Sequence, residues 1–205
     1  MRIGIMGGTF DPIHIGHLML GEFAYEAYGL DTVWFLPNGN PPHKSNQLMD
    51  TNIMHRIEMT KCAIEDVEHF AISLYEIEGL ERAKIAYSYE TMETFHQLYP
   101  NDEFYFIVGA DSLFSIEKWK NPKRLFQTCI VLAAFRDDKC VDNMQNQIEY
   151  LGLKYGAKIE LLSAPLLEIS SSTIRDRVKK SYSIRYMVPD KVNEYITAHH
   201  LYKDI

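Results

Sequence analysis

Arg2-Ile3-Gly4-Ile5-Met6-Gly7-Gly8-Thr9-Phe10-Asp11-Pro12-Ile13-His14-Ile15-Gly16-His17 begins almost at the first residue of the chain, and its reading decides the fold. Arg2 to Met6 is a short apolar run ending in two glycines, the pattern of a buried strand feeding a tight loop. After the loop, Leu20, Phe23, Ala24 and Ala27 fall at helical spacing and Gly29 supplies a C-terminal stop, which predicts a helix near Ile15 to Tyr28. A second apolar run, Thr32 to Leu36, ends at Pro37. Together these pieces form a strand-loop-helix-strand unit.

The alternation continues outward. A polar loop over Asn38 to Asp50 leads to a helix near Asn52 to Val67, a strand near Phe70 to Leu74 and a helix near Ser88 to Tyr99. Further apolar runs lie at Phe104 to Val108, Ile130 to Phe135 and Ile159 to Leu162, with helices expected at Val141 to Tyr155, Ser171 to Lys179 and Pro189 to His200. Strands that are apolar on both faces and alternate with helices point to an α/β fold with a parallel sheet covered by helices. In such sheets ligands bind beyond the carboxyl ends of the strands, where the strand order reverses. Two loops follow apolar runs directly, Gly7 to His17 and Gly109-Ala110-Asp111.

Bulk properties narrow the class. The 205 residues suit one domain, 1–205, and 46% hydrophobic with 24% charged residues is the composition of a globular chain. With 21 Lys and Arg against 28 Asp and Glu, the formal charge of -7 argues against a general binder of nucleic acid or anionic membrane, so any phosphate site must be local. Cys62, Cys129 and Cys140 are odd in number and form no C-x-x-C pair, so neither a disulfide framework nor a cysteine zinc site is suggested. No stretch has the length of a membrane span and the first residues are too short for a signal peptide, so a cytoplasmic location is expected.

The opening loop is neither G-x-x-x-x-G-K-[ST] nor G-x-G-x-x-G. Gly7 and Gly8 let the backbone approach a ligand closely, and the helix start offers N–H groups and a positive dipole end. His14 and His17, three apart, project to the same side. Taken alone, the same letters also describe a turn followed by ordinary helix-start residues. A zinc reading of H-x-x-H lacks a third ligand at suitable spacing, so no metal-ligating residue is assigned.

The stretch Gly7 to His17 resembles the signature of the nucleotidyltransferase superfamily whose T/H-x-G-H motif binds the phosphates of ATP. Ile169-Ser170-Ser171-Ser172-Thr173-Ile174-Arg175 resembles that superfamily's I-S-S-T-x-I-R segment, with Ser172 and Thr173 in slightly different order. Further stretches are similar to the bacterial nicotinate mononucleotide adenylyltransferases. These are Pro37-Asn38-Gly39-Asn40-Pro41-Pro42-His43-Lys44, Ile107-Val108-Gly109-Ala110-Asp111-Ser112-Leu113, and Trp119 between two lysines. Where that family reads S-Y-T before a helix, this chain reads Ala86-Tyr87-Ser88, which keeps a hydroxyl at Ser88.

The resemblance implies a single Rossmann-like domain with a doubly wound parallel sheet. It assigns ATP to Gly7, Gly8, Thr9, Phe10, His14, His17, Gly109, Asp111, Ile169, Ser171, Thr173 and Arg175. It assigns the mononucleotide to Asn40, Lys44, Ser88 and Trp119, with Trp119 stacked on the pyridine ring. Arg136, just past the apolar run ending at Phe135, stands at the carboxyl edge of the sheet and is a further mononucleotide candidate, a plain surface role being the alternative. Catalytic roles fall to His14, His17, Lys44 and Arg175. The implied reaction is attack of the mononucleotide 5′-phosphate on the α-phosphorus of ATP, with Mg²⁺ bridging the triphosphate. A phosphate monoester, with a second pKa of about 6, needs no general base at neutral pH. A related adenylyltransferase acting on phosphopantetheine or nicotinamide mononucleotide is one alternative, and a regulatory module that senses ATP or dinucleotide without turnover is another. A homo-oligomer is left open, and nothing in the sequence locates its face.

Overall fold

In a computed structural model, the structure describes residues 1–39, 52–78, 87–135, 141–165 and 167–203. The first strand, β1 (Arg2–Gly8), is buried along its middle and leads through the loop into helix α1 (Ile15–Tyr28) and strand β2 (Thr32–Pro37). Then follow α2 (Ile53–Ile64), β3 (Phe70–Ile72), α3 (Tyr75–Glu78), α4 (Ser88–Leu98) and β4 (Glu103–Gly109). After them come α5 (Ala110–Ser115), α6 (Pro122–Phe126), β5 (Ile130–Phe135), α7 (Val141–Tyr155), β6 (Ile159–Ser163), α8 (Ser171–Lys179) and α9 (Asp190–Ala198).

The strands form one six-stranded sheet in the order β3-β2-β1-β4-β5-β6. This is the doubly wound parallel α/β architecture expected from the sequence. Ile5 lies opposite Phe106, Val108 opposite Ala133, and Ala133 opposite Leu161, each pair in parallel register. The strand order reverses between β1 and β4, and the chain leaves these two strands at Gly8 and Gly109. The central strands β4 and β5 are buried almost throughout, as strands covered on both faces must be, whereas the edge strand β6 is buried fully only at Leu162.

The chain divides into two compact units, the first comprising Met1–Met6, Leu20–Trp34 and Ala86–Leu166. Within it Trp34 meets Phe95, Tyr99 and Phe104 edge-on, at ring separations of 5.6, 5.6 and 6.4 Å. Such pairs give directional contact beyond the area they bury. The second unit comprises Gly7–Met19, Phe35–Ile85 and Leu167–Ile205. There α2 packs on α9, with Val192 and Ile196 of α9 buried and the Lys191 ammonium 2.7 Å from the Asp66 carboxylate.

Boundaries follow local chemistry. Gly29, in left-handed backbone at φ 54°, ends α1 where the sequence places the stop. Asn52, expected inside its helix, instead caps α2 by accepting from the Met54 N–H at 3.0 Å. β3 stops at Ile72, two residues short of the expected Leu74, and α3 begins at Tyr75. The short helices α3, α5 and α6 were not foreseen, because segments of 4, 6 and 5 residues are too short to show a helical period.

Gly4 is a packing requirement of β1. A Cβ there would stand 2.9 Å from Leu30 Cδ1, 3.2 Å from Val33 Cγ2 and 3.3 Å from Ile107 Cδ1, and all three neighbours are buried. Gly4→Ala should therefore cost about 1–3 kcal/mol by overpacking, measured by denaturant unfolding. An unchanged unfolding midpoint would show that Leu30 yields freely.

Candidate active site

The Gly7–His17 loop and the Ile169–Arg175 segment both lie wholly in the second unit. Phe10 sits in left-handed backbone at φ 50° with its ring only 2% exposed, and the Asp11–Pro12 peptide is cis. The backbone through this turn is held by side chains from three other parts of the unit. Arg56 of α2 donates from Nη1 to the Thr9 carbonyl at 2.7 Å, and from Nη1 and Nη2 to the Asn38 carbonyl at 3.0 Å. Ser171 Oγ donates to the Pro12 carbonyl at 2.9 Å, and Arg175 Nη1 to the Asp11 carbonyl at 2.8 Å. The Tyr202 hydroxyl donates to the buried Asp11 carboxylate at 2.7 Å.

At the start of α1 the two histidines form a unit of their own. The His14 carbonyl accepts from the His17 N–H at 2.9 Å, which makes His14 the cap of the helix. The His17 side chain reaches back, its Nδ1 accepting from the His14 N–H at 3.2 Å. That is the logic of a capping box, with an imidazole in the place usually taken by Glu or Gln. A ring nitrogen that accepts carries no proton, so neutral His17 is fixed as the Nε2–H tautomer. The rings stack with centroids 3.7 Å apart, and Phe10 meets His17 edge-on at 5.1 Å. Gly16 makes the stacking feasible, since a Cβ there would lie 3.1 Å from His14 Nδ1.

Both histidines are held neutral. Burial lowers His14 to about 4. Burial, and then the neighbouring charge of His14, lowers His17 well below the usual imidazole value. Among the described residues, His14 Nδ1, Asn38 Oδ1 and Arg56 Nε are buried without a hydrogen-bond partner.

Several site residues named from the sequence therefore stand together. Gly7, Gly8, Thr9, Phe10, His14 and His17 form the loop and helix start, while Ser171 and Arg175 clasp its Asp11 and Pro12 carbonyls. Thr173 is exposed, its hydroxyl 2.8 Å from that of Ser170, the cap of α8. Ile169 is half-buried just before this cap. In the first unit, Gly109 caps α5 and Asp111 is exposed in its first turn. Ser88 is the first residue of α4, and the half-buried Trp119 meets Phe106 edge-on at 6.2 Å. Asn40, Lys44 and Arg136 lie outside the described residues. Arg56 and Tyr202 were not singled out from the sequence. A basic residue on the same face of a helix as Met59 and Thr60 was the one available signal for Arg56.

Residues 5–177 match the family model described as cytidylyltransferase-like. A probable nicotinate-nucleotide adenylyltransferase of Lachnoclostridium phytofermentans is 44% identical over 98% of both chains. One of Exiguobacterium sibiricum is 40% identical over 98% of this chain and 99% of its own. The chain belongs to the nicotinate-nucleotide adenylyltransferase family. The fold agrees with that of Plasmodium falciparum nicotinic acid mononucleotide adenylyltransferase complexed with NaAD. The two superpose with a TM-score of 0.78 at 23% identity, covering 98% of this chain and 97% of that one. In this member of the family no helix among the described residues is long and apolar enough to cross a membrane.

The depressed His14 pKa carries a stability consequence with a definite sign. The unfolded chain binds this proton below about 6.5 while the folded chain resists it until about 4, so this contribution is complete above 6.5 and is lost as pH falls through that window. Without nucleotide, lowering the pH from 7 to 5 should cost about 2 kcal/mol through this group. His14→Gln should remove that part of the slope in denaturant titrations, and an unchanged slope would contradict the assignment.

Proposed function

We propose that the chain transfers the adenylyl group of ATP to nicotinate mononucleotide, giving nicotinate adenine dinucleotide and pyrophosphate. The observation that carries the reading is the pair of stacked, neutral histidines at the start of α1. His17 has a fixed Nε2–H donor, and His14 Nδ1 is a buried polar atom with no partner among the described residues. Leaving such an atom unpaired costs about 1–3 kcal/mol, which a bound polar group relieves. Neutral N–H donors at a helix N-terminus suit a polyphosphate.

The acceptor phosphate attacks the α-phosphorus in line. One P–O bond forms, the bond to the bridging oxygen breaks, and its electron pair leaves on pyrophosphate, with no covalent intermediate. Catalysis is then positioning and charge stabilisation. His14 and His17 donate to the α- and β-phosphates, and Gly7, Gly8, Thr9 and Phe10 line the triphosphate with backbone. Arg175, with Ser171 and Thr173, meets the β- and γ-phosphates and the leaving group. By sequence resemblance, Ile169, Gly109 and Asp111 serve the nucleotide, Lys44 the acceptor phosphate, and Asn40, Ser88 and Trp119 the mononucleotide, to which Arg136 is added by its place in the sequence just after β5.

Magnesium fits this donor set as a passenger of the substrate. The histidine and amide N–H groups of the loop are donors that receive an anion, and among the described residues no three His, Cys, Asp or Glu converge as a metal cage. Phosphate oxygens and water would be its ligands, and it would supply charge neutralisation on the triphosphate. The chain is proposed to act in the cytoplasm as one domain.

A pyrophosphate-release assay with ATP and nicotinate mononucleotide tests the reading, and absence of product with this acceptor would overturn it. His17→Ala should lower turnover by roughly 10²-fold or more, the scale for removing a donor aimed at transition-state charge. Turnover within about threefold of the parent would remove His17 from that role.

A further inference from the structure

Arg56 is only 1% exposed, and burial lowers its pKa against the raising influence of Asp11 and Tyr202. Burying a guanidinium is a poor route to stability, because the desolvation penalty is several kcal/mol and an apolar side chain of similar volume packs as well. What the guanidinium does, and an apolar chain cannot, is hold two carbonyls from different loops on one rigid fork. Its Nη atoms take the Thr9 carbonyl, just past β1, and the Asn38 carbonyl, just past β2, while the Asn38 N–H donates to the Gly8 carbonyl at 2.8 Å.

These bonds determine which way the neighbouring amides face. In a planar trans peptide the carbonyl and the following N–H point in opposite directions. Turning the Thr9 and Asn38 carbonyls onto Arg56 therefore turns the N–H groups of Phe10 and Gly39 away from it. The Pro12 carbonyl, held by Ser171, turns the Ile13 N–H in the same manner.

We propose that Arg56 is a positioning residue for adenylyl transfer, whose fork on the Thr9 and Asn38 carbonyls sets the direction of the Phe10 and Gly39 amides and the placement of the histidine pair. It touches no substrate and acts through the loop. The inference rests on the adenylyltransferase reading for its kinetic arm only.

The test is Arg56→Lys, which keeps a cation but loses the two-carbonyl fork, alongside Arg56→Met, which keeps volume without charge. For each variant, kcat, the KM values, the thermal midpoint and amide hydrogen exchange of the nucleotide-free protein are measured. Both should lower kcat by roughly 10²-fold, the scale of a misplaced reacting geometry. Exchange at the Asn38 N–H, which is bonded to the Gly8 carbonyl beside the fork, should rise about tenfold or more, while exchange in β4 and β5 stays at the parent rate. Arg56→Lys with kcat within about threefold of the parent would overturn the proposal. So would a lowered thermal midpoint with exchange at Asn38 no faster relative to β4 and β5, since that is the mark of a merely structural residue. If the parent itself fails to turn over ATP and nicotinate mononucleotide, the function reading fails, and the exchange arm alone decides the role of Arg56 in the loop.

Discussion

The buried Arg56 guanidinium, bonded to the carbonyls of Thr9 and Asn38, is the constraint on which the shape of the opening loop depends. Phe10 stands in left-handed backbone, which is unfavourable for a bulky residue unless its surroundings over-determine it. They do so here: Thr9, Asp11 and Pro12 each have a carbonyl held by a side chain, and Asp11 has its carboxylate held as well. The holding groups come from α2, from α8 and from Tyr202 near the end of the chain. The loop is thus a product of tertiary structure, although its sequence looks self-contained.

The histidine pair illustrates how electrostatics and helix capping combine. Burial keeps both rings neutral, and the bond from the His14 N–H leaves His17 with its proton on the nitrogen that does not cap the helix. A neutral donor in this position carries no buried charge to stabilise in the nucleotide-free protein. A polyphosphate arriving at the helix start would favour added positive charge, so ligand binding and protonation of the pair are linked. For the proposed phosphate site this is a sparing construction in a chain of net charge -7.

How much of this was legible in the sequence differs by residue and for physical reasons. The limits of α1, β5, α7 and α8 agree with the apolar spacing and stop signals, because those elements are set by local periodicity and by residues such as Gly29 and Ser170. The pairing of His14 with His17 followed from helical spacing alone, but the capping bond and the fixed tautomer did not, since they depend on side-chain rotation. Arg56 shows in the sequence only as a basic residue on a buried helix face, and Tyr202 not at all, because their partners lie 47 and 191 positions away in the chain. The sequence resemblance assigns Ser171 and Arg175 to phosphates, whereas what the structure shows is both holding the loop's own carbonyls.

The central claim is that the loop presents a neutral, tautomer-fixed histidine to the triphosphate. Long-range proton–nitrogen correlation of the histidine-labelled protein at neutral pH, with and without a non-hydrolysable ATP analogue, tests it most directly. The account predicts an unprotonated, hydrogen-bonded Nδ1 and a protonated Nε2 on His17 before nucleotide, with the Nε2 signal shifting when the analogue binds. A His17 protonated on Nδ1 without nucleotide, or an Nε2 signal unmoved by saturating analogue, would contradict it.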